Sequence, residues 1–136
     1  MKSESTNQAT RVSVRTPVAA VLGATAAATA IWTVATMADA ELTVSYAPGQ
    51  PMKVTVVNVV VAALVGSLAG WGLLALLRRF TAKARAVWTV TAIVTALLSL
   101  GGPLSATASA GTKVSLVAMH LAVATVLIAL LRRTQQ

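Results

Sequence analysis

Long apolar runs separated by short charged segments set the pattern of this chain: no Lys, Arg, Asp or Glu falls within residues 16–38, 54–77, 86–112 or 114–131. A hydrocarbon core of about 30 Å needs about 20 residues of helix at 1.5 Å each, so each run is long enough for one crossing. The pattern predicts an all-α fold, a four-transmembrane-helix bundle in up-down-up-down order. Its helices are expected over about 17–38, 54–77, 85–104 and 114–131. Residues 1–13 include a polar run without apolar period and predict a disordered cytoplasmic tail. A single transmembrane domain follows over 14–133, and its sizeable extracytoplasmic loop is 39–53.

Within these runs the small residues are spaced for helix contact. Pro17 suits a first helical turn, and Ala19, Gly23 and Ala27 form one stripe while Thr25, Thr29 and Thr33 form another. Ala62, Gly66 and Gly70 repeat at four-residue spacing. No hydrophobic force pairs helices in lipid, so stripes that let backbones approach closely predict buried packing faces. The stripe with Gly66 and Gly70 is expected against helix one, with a second copy of the chain as the alternative. In the loop, Leu42, Val44 and Tyr46 alternate with Thr43 and Ser45 ahead of Pro48-Gly49-Gln50-Pro51, the signature of an extended piece and a turn. Such a piece can lie across the outer mouth of the bundle, with Tyr46 at the interface; a plain solvent loop is equally consistent. Helix three carries Thr91, Thr95 and Ser99 on one stripe and meets Gly101-Gly102-Pro103 near its outer end. A helix end or kink is expected there rather than the midplane break of a transporter.

Charge adds the orientation. Nine of the eleven basic residues fall on one side: Lys2, Arg11 and Arg15, then Arg78, Arg79, Lys83 and Arg85, then Arg132 and Arg133. Lys53 and Lys113 share the other side with Asp39 and Glu41. Short cytoplasmic loops are enriched in Lys and Arg, which predicts a multi-pass cell-membrane protein with both termini in the cytoplasm. The alternative is a cleaved leader ending at Ala38-Asp39-Ala40, but the apolar run ahead of it is longer than the roughly 7–15 residues of a signal core. The basic side explains the net charge of +8, because an anionic cytoplasmic leaflet attracts each such residue by about 1 kcal/mol. An acidic protein partner on Arg78, Arg79, Lys83 and Arg85 is the competing explanation. Nucleic acid is not an expected partner, since no soluble basic module is present.

Composition narrows the chemistry further. With 57% hydrophobic residues and a mean hydropathy of +0.80, a disordered chain is excluded. The absence of cysteine removes disulfides, thiolate nucleophiles and cysteine metal sites. Intramembrane polar groups are functional candidates by default, and besides the Thr and Ser stripe they are Asn58 and His120. His120 is the sole histidine, without an acidic partner in its layer, so a structural hydrogen bond to Thr or Ser of a neighbouring helix, or to Asn58, is favoured over a haem, metal or quinone site. Asn58 is expected to act as interhelical glue. No catalytic triad, phosphate loop or metal-ligand spacing occurs, so no enzyme activity, cofactor or metal is expected.

Gly70-Trp71-Gly72-Leu73-Leu74 with Arg78 and Arg79, Ser99-Leu100-Gly101-Gly102-Pro103-Leu104 and Met119-His120-Leu121 resemble an uncharacterised actinobacterial family of small four-helix membrane proteins, a domain of unknown function. The resemblance implies the architecture over about 17–133 and carries no activity to transfer. The favoured reading is therefore a non-enzymatic helix bundle or accessory membrane subunit with a tightly packed interior, bound to a membrane-protein partner or a second copy. A small transporter or channel, whose path would be lined by Thr29, Thr91, Thr95 and Ser99, is the alternative. A cofactor-binding subunit centred on His120 is the third.

Overall fold

The computed structural model describes residues 2–46 and 49–133, with side chains from Arg15 onward. It is an all-α chain with one small hairpin. The elements are α1 (Lys2–Met37), β1 (Thr43–Val44), β2 (Met52–Lys53), α2 (Val56–Phe80), α3 (Ala84–Ser99), α4 (Gly101–Ser105) and α5 (Ala110–Arg133). Four segments, Arg15–Met37, Val56–Phe80, Ala84–Ser105 and Ala110–Arg133, are long and apolar enough to cross a membrane. Large apolar side chains such as Val57, Val61, Val65 and Leu68 stand exposed along them, an arrangement that suits lipid and not water.

Two expectations about the first helix need correction. Its backbone is helical from Lys2, in place of the expected disordered tail, so Pro17 is inside the helix and not at its start. A polar stretch with no apolar period still continues a helix whose downstream turns are already fixed, because propagation is far easier than nucleation. The buried stripe is Ala20, Ala24 and Ala28, while Ala19 is exposed. The threonines turn inward on their own backbone: Thr25, Thr29 and Thr33 donate to Val21, Thr25 and Thr29 carbonyls at 2.9, 2.8 and 2.9 Å. A hydroxyl satisfied within its own helix has no need of a neighbour.

α1 ends in a left-handed cap. Ala38-Asp39-Ala40, which fits a leader cleavage pattern, forms a left-handed helix cap in which Asp39 has φ of 55°. Ala40 N donates to Ala35 O at 3.1 Å and Asp39 N to Thr36 O at 3.2 Å, the paired bonds of a Schellman cap. The loop that follows is a short antiparallel hairpin, Thr43 opposite Lys53 and Val44 opposite Met52. The alternation in the sequence is realised here, for Leu42 and Val44 are buried while Thr43 and Ser45 are only partly so. Ala47 and Pro48 of the expected turn lie outside the described residues. Ser45 and Thr107 exchange backbone bonds at 3.0 and 2.9 Å, which ties the hairpin to the α4–α5 connection.

The third span divides where glycine and proline predict. Leu100 N is shared between Ala96 O and Leu97 O at 3.3 Å each, and α4 begins at Gly101. Pro103 lacks the N–H that would have met Ser99 O, so the ladder loosens one turn earlier. Ser109, just before α5, caps its start, its hydroxyl accepting from Thr112 N at 3.2 Å, while buried Thr112 donates to Glu41 O.

Packing centres on α1, which lies along α5 and along α2; α3 packs on α2 and α5 from the other side. Two clusters hold the bundle. One gathers Ala28, Val44, Val59, Ala63, Ala106, Leu116 and Met119 at the hairpin end. The other gathers Ala20, Ala24, Leu74, Trp88, Leu127 and Leu131 towards the arginine-bearing ends of α2 and α5.

The seam of α2 on α1 is offset from the expected stripe. Val59, Ala63 and Ser67 are buried, whereas Ala62 and Gly66 are exposed and Gly70 is half-buried. At 3.6 residues per turn an offset of one residue rotates the contact by about 100°. Small Ala and Ser side chains permit a close crossing as glycine does and keep a methyl or methylene in contact, so either stripe suits the seam. Ser67 Oγ is buried there with no partner among the described residues. An unpaired buried hydroxyl costs about 1–3 kcal/mol, so Ser67→Ala is expected to stabilise the protein by about 1 kcal/mol in thermal unfolding in detergent.

Candidate functional site

The glycine stripe faces a cleft. A Cβ built on Gly66 or Gly70 meets no heavy atom within 4 Å. Both line a cavity of about 690 Å³ between α2, α3 and α5, with Ala28 of α1 among its walls. The tightly packed interior expected from the sequence is therefore interrupted, because α2 and α5 touch each other little and α3 spans the space between them. Gly23 is different: its Cβ would lie 3.4 Å from Val126 Cγ1, which puts it in the α1–α5 contact as expected of a packing glycine.

The polar candidates collect in the same cleft. Asn58, Thr91, Thr95, Ser99 and His120 all line it. Thr29 is not among the lining residues. Val44, Tyr46 and Met52 of the hairpin region close the cleft at one end, and Leu73, Trp88 and Leu127 line the other. Thus the loop does lie across the mouth of the bundle.

His120 bonds within its own helix and not to a Thr or Ser of a neighbouring helix or to Asn58, the partners expected of it. Its Nδ1 is 2.7 Å from Leu116 O. A carbonyl oxygen only accepts, so Nδ1 carries the hydrogen in this bond, and the second ring nitrogen, Nε2, takes no part in it. Asn58 departs from its expected role. It serves the start of α2, where its Oδ1 accepts from Thr55 N at 3.0 Å and its own N donates to Thr55 Oγ1 at 3.3 Å. This reciprocal capping box satisfies two of the donors that a helix start leaves without partners.

Two tryptophans that sequence reasoning misses hold the frame of the cleft. Trp88 of α3 is buried and donates from Nε1 to Gly70 O of α2 at 2.9 Å. Trp32 of α1 donates to Val54 O at 3.0 Å, just ahead of α2. The signal that could find them is chemical, since an indole N–H in an apolar run must find an acceptor when buried.

The basic candidates Arg78, Arg79, Lys83, Arg85, Arg132 and Arg133 lie in the last turns of α2 and α5 and around the start of α3. Among the described residues, no three His, Cys, Asp or Glu side chains are grouped for a metal ion.

Fold and cleft define a class: an all-α chain with four helices of membrane-crossing length and composition around a mostly apolar cavity. The chain matches a family of unknown function (DUF6069) over residues 8–136 and belongs to it. No curated protein and no solved structure matches it.

Proposed function

We propose that this chain is a non-enzymatic, multi-pass protein of the cell membrane, up-down-up-down with both termini in the cytoplasm, whose working part is the cleft. In this reading it is an accessory bundle that holds one membrane-soluble small molecule. The observation that carries it is the open glycine stripe of α2 facing Thr91, Thr95, Ser99 and His120 across one cavity. Small-molecule sites have this character, mostly apolar walls with a few polar groups and a volume of about 300–1,000 Å³. The cleft of about 690 Å³ falls within the range of small-molecule sites. His120 Nε2, which takes no part in the bond to Leu116, is the ring atom offered to a polar group on the guest. The orientation rests on the nine basic residues of one side.

A transporter or channel is the second reading, favoured by the same polar stripe of Thr91, Thr95 and Ser99. It lacks an intramembrane carboxylate to couple transport to an ion gradient.

The test is purification of the full chain in mild detergent, with light scattering, an absorption spectrum and mass spectrometry of the extracted small molecules on one sample. The expected result is one specific molecule per chain, with occupancy about two- to tenfold lower in His120→Ala, the loss of one hydrogen bond. An extract of bulk membrane composition, the same for wild type and His120→Ala, overturns the reading. Flux of a solute through proteoliposomes at channel-like rates would support the second one.

A further inference from the structure

A second groove runs along the opposite flank of α3, between it and α5, with a volume of about 600 Å³. Leu97, Leu100, Leu121 and Thr125 are among its walls, and Arg85, Arg132 and Arg133 also line it. From Arg85 to Leu100 is about 22 Å along a helix, the reach of one extended acyl chain from its head group. The three guanidinium groups stand at one end because α3 begins and α5 ends there. Asp39 and Glu41 lie beyond α1, at the hairpin end. The start of α3 adds to the same field: Lys83 at its N-cap position gives no side-chain cap, and the first turn holds no acidic residue. First-turn N–H groups then favour an outside anion.

A basic pair in the last turn of a helix complements that helix's own dipole, and this accounts for Arg132 and Arg133 individually. It does not account for their meeting Arg85 across an apolar groove. Arg79 of the other pair lines neither this groove nor the cleft.

We propose that the α3–α5 groove is a binding site for one anionic diacyl phospholipid, its phosphate held by Arg85, Arg132 and Arg133 and one acyl chain laid along Leu97, Leu100 and Leu121. The inference rests on the chain being a membrane protein and is independent of what the cleft holds. Arginine pairs with phosphate through two parallel N–H bonds, which gives the site geometry as well as charge.

The experiment is native mass spectrometry of the full chain in detergent, titrated with phosphatidylglycerol or with phosphatidylcholine of the same acyl chains. Wild type is expected to take up one phosphatidylglycerol at least tenfold more tightly than phosphatidylcholine. Arg85→Gln/Arg132→Gln is expected to weaken that binding about thirtyfold, and the charge-matched control Arg15→Gln/Arg79→Gln by no more than about threefold. Thr125→Trp, an exposed position in the groove wall, keeps every arginine and is expected to displace the acyl chain and weaken binding about tenfold. Equal losses in the two arginine doubles mean diffuse attraction and overturn the site. Equal affinity for the two lipids, or unaltered binding in Thr125→Trp, overturns it as well. Loss of the cleft molecule in His120→Ala leaves all of these readings unchanged, so failure of one site is distinguishable from failure of the other.

Discussion

Trp88→Ala is expected to lower stability by about 3–5 kcal/mol, the range for truncating a buried aromatic side chain. Trp88 is 2% exposed and packs in the cluster with Ala20, Ala24, Leu74, Leu127 and Leu131, so its removal leaves a void between three helices. The dispersion contacts of the indole with its neighbours are forfeited when it is removed. Trp88→Phe separates packing from the hydrogen bond: it keeps a ring and loses the donor to Gly70 O, with an expected cost of about 1 kcal/mol for the bond. Thermal unfolding of both variants in one detergent measures the two contributions. If Trp88→Ala unfolds with the wild type, α3 is held by something other than this contact. The cleft depends on the same side chain, because Trp88 lines it and fixes α3 against α2.

The second large effect is a contrast between two glycines that look alike in sequence. Gly66→Leu is expected to leave the fold intact and abolish the small-molecule occupancy of the cleft, by about a hundredfold or more, because the new side chain occupies the guest's space. Gly23→Leu is expected to destabilise by about 1–3 kcal/mol, since a Cβ placed there would lie 3.4 Å from Val126 Cγ1 and a longer side chain forces α1 from α5. Gly66→Ala is the mild form: it adds a methyl group to empty space and removes the entropy cost of a helical glycine, a gain of about 0.5–1 kcal/mol. Thermal unfolding paired with mass spectrometry of the bound molecule reads all three. Unfolding of Gly66→Leu would return that stripe to the packing role expected from spacing alone. A dimer that becomes a monomer in Gly66→Leu would make it a seam between two copies.

Much of the architecture is legible because it depends on composition along the chain. The number and rough places of the four spans are legible from the charge-free runs, but their limits are not: α2 continues through Arg78 and Arg79 to Phe80, and α5 starts at Ala110, ahead of Lys113. The break at Gly101-Gly102-Pro103 follows from a missing N–H, and the strand in the loop follows from the alternation of Leu42, Val44 and Tyr46. Of the cleft, only the ingredients are legible. Thr91, Thr95, Ser99 and His120 stand out as polar groups in apolar runs, but no spacing within one helix says that α3 and α5 bring them to one cavity. Asn58 reads as interhelical when its polarity is weighed without Thr55 three residues before it, a pair that caps α2 locally. Trp88 escapes notice because a tryptophan in an apolar run looks like one more apolar residue until its N–H is asked for a partner.

The sequence by itself determined that four segments are long and apolar enough to cross a membrane, and where the basic residues gather, because these depend on residue type and spacing along one dimension. Only the tertiary structure decided which face of each helix meets which neighbour. Successive residues are about 100° apart around a helix, so Ala63-Ser67 and Ala62-Gly66 are equally plausible seams until α1 is placed. In lipid no hydrophobic force drives either face inward, and the choice falls to close packing between particular helices, which puts Ala63 and Ser67 against α1 and leaves Gly66 and Gly70 open to the cleft.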